Sequence, residues 1–404
     1  MAQPLLRLRI VDRHDETASE ADEGLPSRAQ RVVDAVKLVA LGGIGLAALG
    51  GLLAYSGCVD VSARSGHAAG MERLLVFARE HSVARHADVM TPPKTDRFVE
   101  ADVERGALAF DGGCAGCHGA PGRAPASFAA HMYPQPPELA KERSANPTAQ
   151  EMAWVVDGGL MDTGMPAWPA RRDDEVWAVA RFLERLPELD AAGYQRLVAG
   201  PPDRHGLPEM GGELSDVRPE VLAQCVGCHG RDGKGRANGA IPNLSFQTQQ
   251  YLHDSLQAYA EGDRRSGIMG PQAQRLTVDE RKALAAYFAR QSDDHPTVER
   301  GPADLLARGK EIAVEGSEAL APCMSCHGVM ERNGYRAELT IPQLRGQYAA
   351  YVYTQLAAFR AKQRGLLPYH QEFDESGLLH VLPHGDMEAV ALYFASLDSE
   401  VASR

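Results

Sequence analysis

Cys114-Ala115-Gly116-Cys117-His118 is the first of three copies of one pattern, followed by Cys225-Val226-Gly227-Cys228-His229 and Cys323-Met324-Ser325-Cys326-His327. At the spacing C-x-x-C-H, two thiols form thioethers to the vinyl groups of a porphyrin, and the adjacent imidazole sits under the iron. C-x-x-C alone would serve a redox dithiol or half a zinc site. Three matches, each closed by histidine and about a hundred residues apart, assign the six cysteines to haem attachment. His118, His229 and His327 are then the proximal ligands. The expected cofactors are three covalently bound haem c groups, and the function they point to is electron transfer.

At 404 residues the chain exceeds one core and suits about three domains. The haem motifs use six of the seven cysteines, which leaves Cys58 and no disulfide framework. A net charge of -12 excludes nucleic acid as a partner and permits docking to basic patches on redox proteins. The run Leu38–Ser56 (LVALGGIGLAALGGLLAYS) holds nineteen residues without a charge, close to what a bilayer-crossing helix needs. Gly43, Ala47 and Gly51 make a small-residue stripe along it. Arg28, Arg31 and Lys37 precede this run, while Asp60 and Arg64 follow it. The bias predicts a cytoplasmic tail (1–37), a retained signal-anchor (38–56) in a bacterial inner membrane, and haem domains in the periplasm. Cys58 reads as a plain residue at the membrane face.

Residues 57–95 form a linker with a helix over Gly66–Ala87, whose Met71, Leu74, Leu75 and Ala78 share a face. Pro92-Pro93, Pro201-Pro202 and the stretch His295–Pro302 mark boundaries, giving haem domains at 96–200, 205–294 and 300–404. The last two are copies: Ile241-Pro242, Leu244, Gln247, Tyr251, Leu256, Tyr259 and Arg264 recur 100 residues later as Ile341-Pro342, Leu344, Gln347, Tyr351, Leu356, Phe359 and Arg364. Closing helices are expected at Val176–Leu186, Val278–Arg290 and Asp386–Leu397, with Asp173, Asp174 and Glu175 favoured by the first helix's dipole. No run alternates with period two. The fold class expected is all-α.

A sulfur ligand opposite the proximal histidine holds haem at high potential. Met165 lies 47 residues after His118 and Met269 lies 40 after His229, both in turn-rich contexts, so both are candidate sixth ligands. The third domain breaks the pattern, because Met324, Met330 and Met387 are poorly placed. His370, 43 residues after His327, is the candidate there; His380 and an open iron are the alternatives. A bis-His third haem would have the lowest potential. An open one would admit a haem enzyme, with His380, His384 and Glu375 as acid–base groups. No other catalytic constellation is present.

Short helices, C-x-x-C-H near the first helix, a downstream Met and a closing aromatic helix resemble class I cytochrome c over residues 100 to 400. In that family the terminal helices cross at a small-residue and aromatic contact, which Gly106, Phe110 and Trp177 resemble. Thr163-Gly164-Met165-Pro166-Ala167-Trp168 looks like the family's Met-ligand loop. The second and third units are similar to the halves of dihaem cytochrome c-four, most closely in GQYAAYVYTQLAAFRAKQR. Ser56–Ala87, with HSVARHA, is similar to membrane-anchored respiratory cytochromes of bacteria. These resemblances imply a carrier that passes electrons from a periplasmic donor to a terminal oxidase or another respiratory complex. The alternative is the cytochrome subunit of a periplasmic dehydrogenase.

Overall fold

The computed structural model describes residues 27–67, 69–141, 147–199, 206–291, 301–316, 320–327, 341–365 and 382–397. It divides into two compact units, Met1–Ser65 and Gly66–Arg404. Among the described residues there is no strand, and an isolated bridge joins Ala120 to Arg123.

The described part of the first unit is dominated by α1 (Arg28–Tyr55). The Ser27 hydroxyl caps it by accepting from the Gln30 amide at 3.2 Å. The helix starts ten residues ahead of the uncharged run, so Arg28, Arg31 and Lys37 are helical. None of its residues is buried, and it is long and apolar enough to cross a membrane by length and composition.

The second unit is built from fourteen described helices: α2 (Ala69–His86), α3 (Val99–Gly113), α4 (Ala115–His118), α5 (Ala149–Gly158), α6 (Asp173–Arg185), α7 (Ala191–Ala199), α8 (Pro219–His229), α9 (Gln249–Glu261), α10 (Met269–Gln274), α11 (Val278–Ala289), α12 (Ala303–Glu315), α13 (Met324–His327), α14 (Ala349–Arg360) and α15 (His384–Ser396). Local chemistry fixes several of their starts. Thr148 with Glu151 and Thr277 with Glu280 form capping boxes on α5 and α11, and Thr248 caps α9. The shared face of α2 is open, since Met71, Leu74 and Leu75 are all exposed.

The segments around the first and third C-x-x-C-H motifs share a crossing of their outer helices. Gly106 of α3 lies so close to α6 that an added Cβ would stand well under 3.0 Å from the Ala178 carbonyl oxygen and Phe182 Cβ. Gly309 of α12 meets Ala389 and Tyr393 of α15 in the same way. The aromatic at the first crossing is Phe182, whose ring centroid is 5.2 Å from that of Phe110. The expectation that Trp177 fills this place is corrected: Trp177 turns to a different cluster, with Met152, Val156 and Val179. Trp177 and Phe182 are five residues apart, which places them about 140° apart around the helix, and Phe182 takes the face that meets α3.

The repeats of the second and third segments face each other across a reciprocal contact. The Gln347 side chain accepts from the Asn243 amide at 3.0 Å and donates to the Asn243 carbonyl at 2.8 Å. Gln247 does the same to Gln343, at 3.0 and 2.8 Å.

In the second segment Arg218, ahead of α8, pairs with Glu280 on α11 at 2.7 Å. Hydrogen bonding to Arg218, with the Thr277 and Arg218 amides, outweighs burial and holds the Glu280 carboxyl down at about 2. A carboxylate lowered on folding adds stability above its ordinary value of 4.5, and that stability is lost as pH falls towards 2. Glu280→Gln is therefore expected to cost about 1–2 kcal/mol at neutral pH, discounted for the half-exposed Arg218. It should also flatten the acid limb of the melting curve between pH 5 and 2. Parallel acid limbs for variant and parent would rule this out.

Candidate functional site

Each haem motif sits at a helix end, where the chain turns back on its own histidine. His118 Nδ1 lies 2.9 Å from the Pro137 carbonyl oxygen, and His327 Nδ1 lies 2.9 Å from that of Pro342. His229 is aimed in the same way at Pro242, whose carbonyl raises its pKa, although the contact falls short of full hydrogen-bond geometry. A carbonyl can only accept, so Nδ1 carries the proton and Nε2 keeps its lone pair for a metal. Burial is the largest influence on His229 and brings it down to about 4, so it is neutral and able to ligate. These prolines were not singled out as functional in the sequence. The signal was there: Pro137-Glu138-Leu139, Pro242-Asn243-Leu244 and Pro342-Gln343-Leu344 each follow a motif as Pro-x-Leu.

The thiols border apolar cores. Cys114, Cys225, Cys228 and Cys323 pack against clusters of buried hydrophobic side chains. Burial, and next the neighbouring Cys117, pushes Cys114 up to about 11, and Cys225 rises likewise to about 12. A redox dithiol keeps one thiol pKa low. Half-buried neutral thiols beside an apolar wall instead suit attachment to a porphyrin edge. Cys117 is half-buried, and Cys58 and Cys326 are exposed.

Met165 and Met269 are both half-buried in tight loops. The Met165 amide donates to Thr163 Oγ1 at 3.1 Å, and the Met165 carbonyl accepts from the Leu160 amide at 3.2 Å. Gly159, at φ +64°, lets this loop pass, because a Cβ there would strike Met165 O and Ala167 N. The Met269 amide donates to Ser266 Oγ at 2.9 Å at the start of α10. In the third segment Met387 is fully buried in the apolar core, and Met324 packs against that core. His370, His380, Glu375 and Met330 lie outside the described residues. His384 opens α15, with its Nδ1 3.4 Å from the Tyr353 hydroxyl. Burial, then Arg360 and Lys94, lowers its pKa.

Arg264 and Arg364 occupy the contact between the second and third segments. Arg264 is buried and donates to Ser255 Oγ at 2.9 Å and to the hydroxyls of Tyr251 and Tyr351 at 3.3 and 2.9 Å. It also lies over the Tyr259 ring at 4.5 Å, as Arg364 lies over Phe359 at 4.4 Å. The Nε of each arginine has no hydrogen-bond partner among the described residues. Burial first, then repulsion from Arg264, lowers the pKa of Arg364. Burial pushes the Tyr251 phenol up, but the two cations outweigh it and bring it to about 8. Two enclosed cations with spare donors call for an anion, and haem carries two propionates. Thiols, imidazole and cations together fit haem c.

Residues 101–183 match the family model described as cytochrome c oxidase, cbb3-type, subunit III, and residues 220–291 match the model for cytochrome c. The thiosulfate dehydrogenase electron acceptor of Stutzerimonas stutzeri is 31% identical over 45% of this chain and 82% of its own length. Cytochrome c4 of Pseudomonas aeruginosa is 36% identical over 39% of this chain and 77% of its own. The cytochrome subunit of sulfide dehydrogenase from Chlorobaculum tepidum is 30% identical over 26% and 93%. These relatives are carriers or cytochrome subunits, and no catalytic family is among them. The chain belongs to the class I c-type cytochromes, with units of the dihaem cytochrome c4 kind, and its chemistry is electron transfer through covalently bound haem c.

Proposed function

We propose that this protein is a membrane-anchored trihaem cytochrome of a bacterial respiratory chain, accepting electrons from a periplasmic dehydrogenase and delivering them to a terminal oxidase. The observation that carries this reading is the threefold recurrence of a motif histidine turned onto a Pro-x-Leu carbonyl within one compact unit. Haem c, when bound, supplies one-electron Fe(III)/Fe(II) chemistry. Cys114 and Cys117, Cys225 and Cys228, and Cys323 and Cys326 attach it. His118, His229 and His327 would hold the irons, together with Met165, Met269 and His370. Pro137 and Pro342 fix the tautomers of His118 and His327, Pro242 faces His229, and Arg264 and Arg364 would supply positive charge to propionates. The haem domains span 96–200, 205–294 and 300–404 on the periplasmic side. Helix α1 anchors them to the inner membrane, which confines their search for partners to a plane.

The test uses the full chain in membranes. Three haems per chain are expected, with three low-spin ferric signals by electron paramagnetic resonance, and His370→Ala should convert one of them to high spin. A purified periplasmic dehydrogenase with its substrate should reduce the protein, and aerated membranes containing a haem–copper oxidase should reoxidise it. Fewer than three haems, or a reduced protein that stays reduced beside an active oxidase, would sink the proposal. An unchanged third signal in His370→Ala would remove that ligand alone.

A further inference from the structure

Asp174 and Glu175 sit in the first turn of α6, where the helix dipole accounts for acidic residues, yet Glu175 is buried and Asp174 is largely covered. Asp174 belongs to a chain of charges that runs from Arg181 through Asp102, Arg105 and Asp174 to Arg172. Glu175 does something else. One of its oxygens, Oε2, accepts from the Trp168 indole at 3.1 Å and from the Gly267 amide at 2.6 Å. The other, Oε1, accepts from the Ser266 hydroxyl at 2.5 Å. Trp168 ends the loop that begins Thr163-Gly164-Met165, and Ser266 Oγ in turn accepts from the amides of Ile268 and Met269. A single carboxylate therefore holds both methionine loops, which belong to different haem segments.

Two neighbouring features fit this contact. An added Cβ on Gly267 would stand well under 3.0 Å from the Trp168 indole nitrogen, so only glycine lets the two loops lie this close. Arg172 reaches across to the same loop and donates to the Arg265 carbonyl at 3.0 Å while its other nitrogens hold Asp174. Burying a carboxylate is costly unless each oxygen is satisfied, and here three donors converge on it beside a buried cation. A loop contact without a positional role would not need that arrangement.

We propose that Glu175 is a positioning residue shared by the two methionine loops, clamping Trp168 to Ser266 and Gly267 so that the placements of Met165 and Met269 are coupled. The proposal rests on the reading of these methionines as sixth ligands. Its consequence is that a substitution in the first haem segment disturbs the axial ligand of the second.

The experiment compares Glu175→Ala, Glu175→Gln, Trp168→Phe and Ser266→Ala holoproteins with the parent, using Met165→Ala and Met269→Ala as references. The readouts are the reduction potential and ferric spectrum of each methionine-ligated haem, with hydrogen exchange at the Gly267 and Met269 amides. Glu175→Ala should disturb both haems and speed exchange at both amides about tenfold or more. Trp168→Phe should disturb the first haem, and Ser266→Ala the second. Glu175→Gln keeps one acceptor oxygen and should recover part of the parent spectrum, which also covers the case in which the alanine variant fails to fold. A Glu175 of purely structural value would lower the melting temperature and leave both spectra and both amides unchanged, and that result overturns the proposal. Disturbance of the first haem alone overturns it too. If instead Met165→Ala and Met269→Ala leave their haems unchanged, the ligand assignment is what has failed, and the exchange rates in Glu175→Ala still decide whether the clamp exists.

Discussion

Replacing Gly309 with alanine is expected to separate α12 from α15 and destabilise the third haem segment by about 3 kcal/mol or more. The added methyl would stand well under 3.0 Å from the Ala389 carbonyl oxygen and close to Tyr393 Cβ. The first of these is backbone and cannot turn aside. The helices must part, and with them the cluster of Ile312, Ala313, Met387, Val390, Leu392 and Phe394. Overpacking usually costs about 1–3 kcal/mol, and a clash with main chain belongs at the top of that range. Thermal unfolding followed by circular dichroism should fall by several degrees. Gly106→Ala should act alike on α3 and α6, where Ala178 O takes the place of Ala389 O. Melting temperatures within a degree of the parent in both variants would show that the crossings have room to spare.

The second large effect is expected at Arg264. Arg264→Met would leave the Tyr251, Ser255 and Tyr351 hydroxyls without their donor and remove the cation over Tyr259. Breaking a buried polar cluster on one side costs about 2–4 kcal/mol. It should also lower the potentials of the haems proposed at the second and third motifs, since a nearby positive charge favours the state with one more electron. At an effective dielectric of about 20, a charge some 8–10 Å away shifts a potential by roughly 50–100 mV. Arg264→Lys separates the two effects, because it keeps the charge but loses the planar fork that serves three hydroxyls. The lysine variant should recover most of the potential and little of the stability. Unchanged potentials in Arg264→Met would show that the arginine faces no redox group.

Much of this was legible in the sequence, for reasons that differ from residue to residue. The attachment motifs were plain because thioether chemistry demands adjacent residues at fixed spacing. The helices were plain because capping and amphipathic period are local, as the Thr277–Glu280 box shows. Phe182 was missed as the partner of Phe110 because Trp177 and Phe182 lie on one helix, and only packing decides which of its faces meets α3. Glu175 was read as a dipole partner because its position alone explains an acidic residue there. Its real contacts, Ser266 and Gly267, lie some ninety residues away in the chain. The Pro-x-Leu carbonyls fall between these cases. The repeat was visible at Pro242 and Pro342, but its meaning appears only when the imidazoles are seen turned towards it.

The paired glutamines between the second and third segments make a contact that is its own mirror in role. Gln247 meets the backbone at Gln343, and Gln347 meets it at Asn243, each in the role of the other. Contacts that exchange under a two-fold rotation are what two identical molecules make when they associate. Nothing in such an arrangement requires the partners to share one polypeptide. The contact is self-complementary, so a change at Gln247 and a change at Gln347 should loosen the same interface from opposite sides.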